Sequence, residues 1–227
     1  MAAFFHRNCP LETVAAHVRK QSAAGCFDLA AAVRSFRDGD EDEISDVVIS
    51  GDYSGIDGSG LSFNRVIFVD CRFRGGDFSR ASFIDCIVWN SDLSNGMFAA
   101  SFWAASCLGE SKAIGADFTG CRMRHIRFAG CNLQFGNFTQ CRLAGILAEK
   151  SDFSEAVFAE TILGGATLKE VKLNRATFVK TPLDNINLTG CSLENTRFSD
   201  SAAELRGAIV NPSQAAELAK LLGVVIE

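Results

Sequence analysis

The chain has 227 residues, 48% apolar and 22% charged, with a formal net charge of −5, a balance that excludes wholesale disorder and allows a packed core. No run approaches the ~18 consecutive apolar residues of a membrane helix, and the opening Met1–Arg7 segment lacks the long apolar stretch of a secretory signal, so a cytoplasmic protein without membrane contact is expected. Nine cysteines, an odd count, fit reduced thiols better than a disulfide framework.

Residues 1–42 are predicted to form a helical hairpin and an acidic linker. Pro10 suits a first helical turn, and Leu11, Val14, Ala15 and Val18 follow at helical spacing before Gly25. Asp28 suits the N-cap of a second helix with Leu29, Ala32, Val33 and Phe36 on one face and Gly39 as its stop. The acidic residues Asp38, Asp40, Glu41, Asp42, Glu43 and Asp46 then read as a solvated link. Residues 44–60, rich in Gly, Ser and Asp, read as an irregular first coil of the element that follows.

From Phe63 to Phe198 every fifth residue is apolar, 28 in succession without a slip of frame. Two residues before each lies a second column (Cys71, Gly76, Ala81, Cys86, Ser91 and so on to Thr196), mostly small and never charged. All 29 charged residues between positions 61 and 200 fall on the other three positions. A helix repeats every 3.6 residues and a flat strand every two, so neither produces this segregation. A short extended step with a corner every five residues does, because residues i and i+2 of a strand share a face. Four such sides close a square coil of 20 residues, and stacked coils pair in parallel at ~4.8 Å. Every fourth central residue is a phenylalanine: Phe78, Phe98, Phe118, Phe138, Phe158, Phe178 and Phe198, which predicts one ladder of stacked rings inside the coil.

Units such as Ala116-Asp117-Phe118-Thr119-Gly120 and Cys131-Asn132-Leu133-Gln134-Phe135 resemble the pentapeptide-repeat family, with its Ala-(Asp or Asn)-Leu-x-x pattern. The resemblance implies an all-β solenoid: a right-handed quadrilateral parallel β-helix of seven to eight coils over residues 43–209, regular from 61 to 200.

Residues 210–227 are predicted to be a C-terminal helix and short tail. Asn211-Pro212-Ser213-Gln214 combines an N-cap, a first-turn proline and a capping-box glutamine. Ala215, Leu218, Leu221 and Leu222 make an apolar stripe that stops at Gly223, and Val224-Val225-Ile226 reads as strand-like. This tail resembles the end of the Qnr-type quinolone-resistance proteins. That likeness implies a homodimer through Leu218, Leu221, Leu222, Val224 and Val225. It also implies a rod that imitates duplex DNA and binds DNA gyrase or topoisomerase IV. Residues 61–200, however, carry 15 basic and 14 acidic side chains, whereas a duplex mimic needs acid.

No constellation of nucleophile, base and orienting group can be assembled from the spacing, and no metal or cofactor motif occurs, so a non-catalytic interaction protein without direct nucleic-acid binding is expected. Six cysteines occupy the small inward column and read as core filler. Two outward groups are candidates for holding a partner protein. One is apolar: Ile87, Trp89 and Phe102, with Ile67 and Val69 nearby, a patch that either the N-terminal hairpin or a second protein would cover. The other is basic: Arg122, Arg124, Arg127 and Arg142 around His125. These leave a scaffold, adaptor or immunity-type binder as the alternative to a gyrase-binding rod.

Overall fold

The computed structural model describes residues 27–36, 43–221 and 223–225. The first helix of the expected hairpin, the residues from 37 to 42 and Leu222 therefore lie outside the described residues.

The core of the chain is a four-sided parallel solenoid. One side is a sheet of seven strands: Glu43–Ser45, Ser62–Asn64, Ser82–Ile84, Phe102–Ala104, Arg122–Arg124, Arg142–Ala144 and Ile162–Gly164 (β1, β3, β5, β7, β9, β11 and β13). The next side is a second seven-stranded sheet: Val48–Asp52, Ile67–Arg72, Ile87–Trp89, Cys107–Gly109, Arg127–Ala129, Leu147–Glu149 and Thr167–Lys169 (β2, β4, β6, β8, β10, β12 and β14). The two remaining sides are joined by single parallel bridges that step by 20 residues, such as Asp92↔Lys112↔Asn132 and Met97↔Asp117↔Asn137. The strand register also advances by 20, as in Phe102↔Arg122↔Arg142. The first coil deviates: Glu43 pairs with Ser62, and a bulge between Ile49 and Gly51 restores the 20-residue step.

Corners fall at every fifth residue from Gly55 to Asn195 except Gly190, each with a left-handed backbone, φ between 46° and 75°. Twenty of these corners are not glycine, although a Cβ makes that region unfavourable. Their neighbours hold them there. On the bridged sides, N–H groups of Gly76 and Gly96 donate to the carbonyls of Phe73 and Leu93, both at 3.0 Å, closing turns whose third residue has the positive φ that a type II turn requires. Where an Asp or Asn precedes the central residue it tightens the same turn: the carboxylate of Asp117 accepts the Thr119 N–H at 3.0 Å, and Asn132 accepts that of Gln134 at 3.1 Å. That is the physical basis of the Asp/Asn in the five-residue unit.

Inside, the predicted ladder is present. Phe98, Phe118, Phe138, Phe158 and Phe178 stack in succession at 5.0–5.1 Å between ring centroids, with interplanar angles of 4–14°. Phe78 and Phe198 extend it at 5.5 and 6.0 Å. A second stack, Phe63–Phe83–Trp103, lies on a neighbouring side. Space for the rings comes from the small column: a Cβ at Gly96 would sit 2.7 Å from the Phe98 ring and 2.9 Å from the Leu93 carbonyl oxygen.

Both sheets end at the coil of residues 161–170, and single bridges carry the stack on to Arg197 and Ile209. In the odd-numbered sheet the N–H of Arg122, Arg142 and Ile162 each donates to the coil before, to Ser101, Cys121 and Cys141. One coil on, that position is Pro182, which has no N–H to give. The chain after Pro182 pairs forward instead: Leu183, Asn185 and Leu188 donate to the carbonyls of Glu204, Gly207 and Ile209 at 2.8–3.0 Å. Leu163, Ala166 and Leu168 are left only half-buried at the resulting edge.

A helix lies at each end. Helix α1 (Leu29–Phe36) begins at Asp28, whose carboxylate accepts the Ala31 N–H at 3.0 Å; Leu29 and Val33 are buried in the same core cluster as Ile49 and Phe63. Helix α2 (Pro212–Lys220) starts with the full capping box expected, Asn211 and Gln214 each accepting from the other's backbone N–H.

Candidate functional site

The interior of the described coils is lined by apolar side chains, small hydroxyls and thiols. The six inward cysteines, Cys71, Cys86, Cys121, Cys131, Cys141 and Cys191, are buried thiols. Burial pushes Cys71 and Cys86 up to about 12, and Cys131 and Cys191 up to about 11; in the stacked pair, the hydrogen bond between the two thiols lowers Cys121 and raises Cys141. The raised thiols are poor nucleophiles and metal ligands at neutral pH. Their role is structural, and broader than filling space. Cysteine, serine and threonine of the small column bridge coils: the Ser106 hydroxyl accepts the Cys86 N–H at 3.0 Å, and the Ser91 and Ser151 hydroxyls accept those of Cys71 and Cys131 at 3.1 Å. These buried amides face inward, where no ladder partner exists, so each needs the hydroxyl one coil further on. Among the described residues no group of three His, Cys, Asp or Glu side chains is placed to hold a metal ion, and no helix is long and apolar enough to cross a membrane.

Most charged side chains lie on the outside, and many are paired with a neighbouring coil. Ion pairs run between adjacent coils: Arg65–Asp46, Arg72–Asp52, Arg74–Asp92, Lys172–Asp152, Arg175–Glu155 and Lys180–Glu160. The best buried is a triad, with Glu149 between Arg127 at 2.7 Å and Lys169 at 3.0 Å. Burial opposes ionisation of Glu149, but the Lys169 and Arg127 hydrogen bonds outweigh it and hold the carboxyl below its ordinary range.

Other basic side chains stand outside this pairing, and three of them lie together. Arg122, Arg124 and Arg142 are exposed, share β9 and β11, and form no ion pair or side-chain hydrogen bond among the described residues. Arg122 and Arg142 are register partners on adjacent coils. The same column continues to Phe102 below, half-buried, and Ile162 above, 57% exposed.

The family model described as pentapeptide repeats matches residues 106–145 and 151–190 in eight copies. Residues 106–145 and 151–190 are thus pentapeptide repeats. No curated protein matches the sequence of the chain. Among solved structures it is similar to a trypsin-treated variant of QnrB1, a plasmid-mediated fluoroquinolone resistance protein: 26% identity over 82% of this chain and 90% of that one, with a TM-score of 0.48. It is also similar to HetL, a pentapeptide-repeat protein involved in heterocyst differentiation regulation from the cyanobacterium Nostoc sp. strain PCC 7120. There the identity is 16% over 81% and 97% of the chains, with a TM-score of 0.40.

Within this pentapeptide-repeat rod the expected site residues separate into distinct groups. Ile87 is 3% exposed in a small cluster with Ile67 and Val69, against which Val48 and a half-buried Trp89 pack. Trp89 lies flat over Gly109 of the next coil, so close that a Cβ there would be 2.3 Å from the indole. Phe102 belongs to the other sheet and borders the free arginines, whereas Arg127 faces the Glu149 triad. At the C-terminus no residue of α2 is buried; Leu218 is half-buried, and Leu221, Val224 and Val225 are 50%, 49% and 85% exposed. Val224 and Val225 belong to no strand, unlike the strand-like tail expected. A cleft of about 750 Å3 separates α2 from the last coil, between Leu193 and Thr196 on one wall and Leu218 and Leu221 on the other. One buried acid was not foreseen: Glu204, 5% exposed, accepts the Lys180 N–H at 2.7 Å and the Ser199 hydroxyl at 2.9 Å.

Proposed function

We propose that this protein is a non-catalytic, protein-binding rod that acts as a homodimer through α2 and its tail. The observation that carries the reading is the division of the chain: an interior filled by stacked rings and buried thiols, and outward faces with groups that no part of the described chain satisfies. In its sharpest form the rod takes the place of duplex DNA in a type II topoisomerase, DNA gyrase or topoisomerase IV, and protects it from quinolones. The likeness of the C-terminal helix and tail to Qnr-type proteins supports that form. The charge distribution favours a second one, a scaffold, adaptor or immunity-type binder: the 15 basic and 14 acidic side chains of residues 61–200 leave no acidic excess to stand in for phosphates.

A supercoiling assay with purified gyrase decides between them. If the rod replaces DNA, micromolar protein inhibits supercoiling and reduces quinolone-induced cleavage. Unchanged supercoiling and unchanged cleavage at that concentration eliminate the topoisomerase form and leave the adaptor.

A further inference from the structure

We infer that the exposed face of the odd-numbered sheet from Phe102 to Ile162 is a docking surface for an acidic, extended segment of a partner protein; the inference rests on the protein-binding reading above. Charge complementarity selects the occupant. From residue 102 to residue 165 the outward positions of this face hold Arg122, Arg124 and Arg142 and not one carboxylate. On other sides many basic side chains have a carboxylate one coil away to lean on, as Arg175 does on Glu155 and Lys180 on Glu160. Here the coils above and below offer Phe102, Ala104, Ala144 and Ile162 instead, so the guanidinium donors are left for an outside acceptor. Small neighbours keep the arginine forks accessible for two-point contact with carboxylates, the geometry that distinguishes Arg from Lys.

The order along the rod is apolar, Arg, Arg, apolar over four coils, roughly 14 Å at ~4.8 Å per coil. An extended chain of about four or five residues covers that length at ~3.3 Å each. The matching segment has two or more carboxylates between apolar side chains. Arginine beside aromatic and aliphatic anchors is also the composition of protein interface cores. Nucleic acid fits less well: the whole chain carries a net charge of −5, which repels a polyanion, and the apolar ends of the column have no phosphate to meet.

The test is selection of displayed random peptides on the immobilised full-length protein, followed by fluorescence anisotropy with the enriched peptide. Expected are sequences with at least two Asp or Glu between apolar residues, bound more weakly as salt rises. The Arg122→Glu/Arg142→Glu variant should lose at least tenfold in affinity and Arg122→Gln/Arg142→Gln severalfold. Arg72→Glu/Arg74→Glu, with the same charge change on another side, should bind as the parent. All these side chains are exposed, so the far-UV circular dichroism spectrum should be unchanged. Enriched peptides that bind equally well to the arginine variants overturn this surface and leave the protein-binding reading standing. Failure to enrich any sequence overturns both. A labelled single-stranded oligonucleotide that binds through the same arginines more tightly than the peptide overturns the choice of partner.

Discussion

Single residues in the small column carry more of the fold than their size suggests. Ser106 illustrates this: its hydroxyl accepts the Cys86 N–H from one coil and donates to a carbonyl oxygen, that of Ala104 at 2.9 Å. Ser106→Ala removes little volume but orphans a buried amide, which costs about 1–3 kcal/mol. Chemical denaturation should show that loss with an unchanged denaturant slope, while Ser106→Cys, which keeps an acceptor as at Cys86 itself, should retain most of the stability. A loss below a few tenths of a kcal/mol in the alanine variant would mean that water replaces the hydroxyl. The sequence shows which positions of each five turn inward, because charge never enters them. It does not show that serine and cysteine there are polar ties, since both types also read as small filler.

At the scale of the element, the corners and the C-terminal closure were the least legible parts. Corner positions hold Arg, Glu, Lys, His and even Phe135 as well as Gly and Asn, so residue type alone hides the left-handed backbone that periodicity in the neighbouring columns imposes. Pro182 was visible, but its effect depends on knowing that its N–H position points along the stack rather than to solvent. Glu204 looked like any acid in a loop. Burial opposes its ionisation, yet its pKa is lowered, because its own N–H, the Lys180 and Ser199 N–H groups and the Ser199 hydroxyl all donate to its carboxylate. A depressed pKa in the folded state means that the stabilisation is present above the ordinary glutamate value of 4.5 and is lost as the pH falls through the lowered one. Hydrogen exchange should therefore show the segment from 180 to 209 opening before the central coils as solutions are acidified below pH 4.5. Glu204→Gln should weaken this segment at neutral pH and remove the acid dependence. Equal acid sensitivity in the variant would assign the effect to other carboxylates.

For the molecule as a whole, the rod was readable and its assembly was not. A period of five is a global property that any window of the sequence repeats, so architecture followed from 28 concordant positions. Partner surfaces depend on which outward side chains meet a neighbour one coil away, and that is fixed only by the 20-residue register. The C-terminal helix exposes Leu221, Val224 and Val225 beside an open cleft, and burying such side chains is worth ~1.5–3 kcal/mol each. Light scattering should give a dimer for the parent protein and a monomer for Leu221→Asp/Val225→Asp with the same circular dichroism spectrum. A parent that runs as a monomer at tens of micromolar would reject assembly through this end.

The register has a further consequence for what lengths such a chain tolerates. Because each ring of the Phe78 to Phe198 ladder sits 20 residues from the next, adding or excising one complete coil leaves every ring above a ring. A change of five residues preserves the inward frame but turns one side onto its neighbour, setting Phe98 under Trp103's column. A change of one residue drives charge into the core. Growth and shortening are thus confined to whole steps of a staircase.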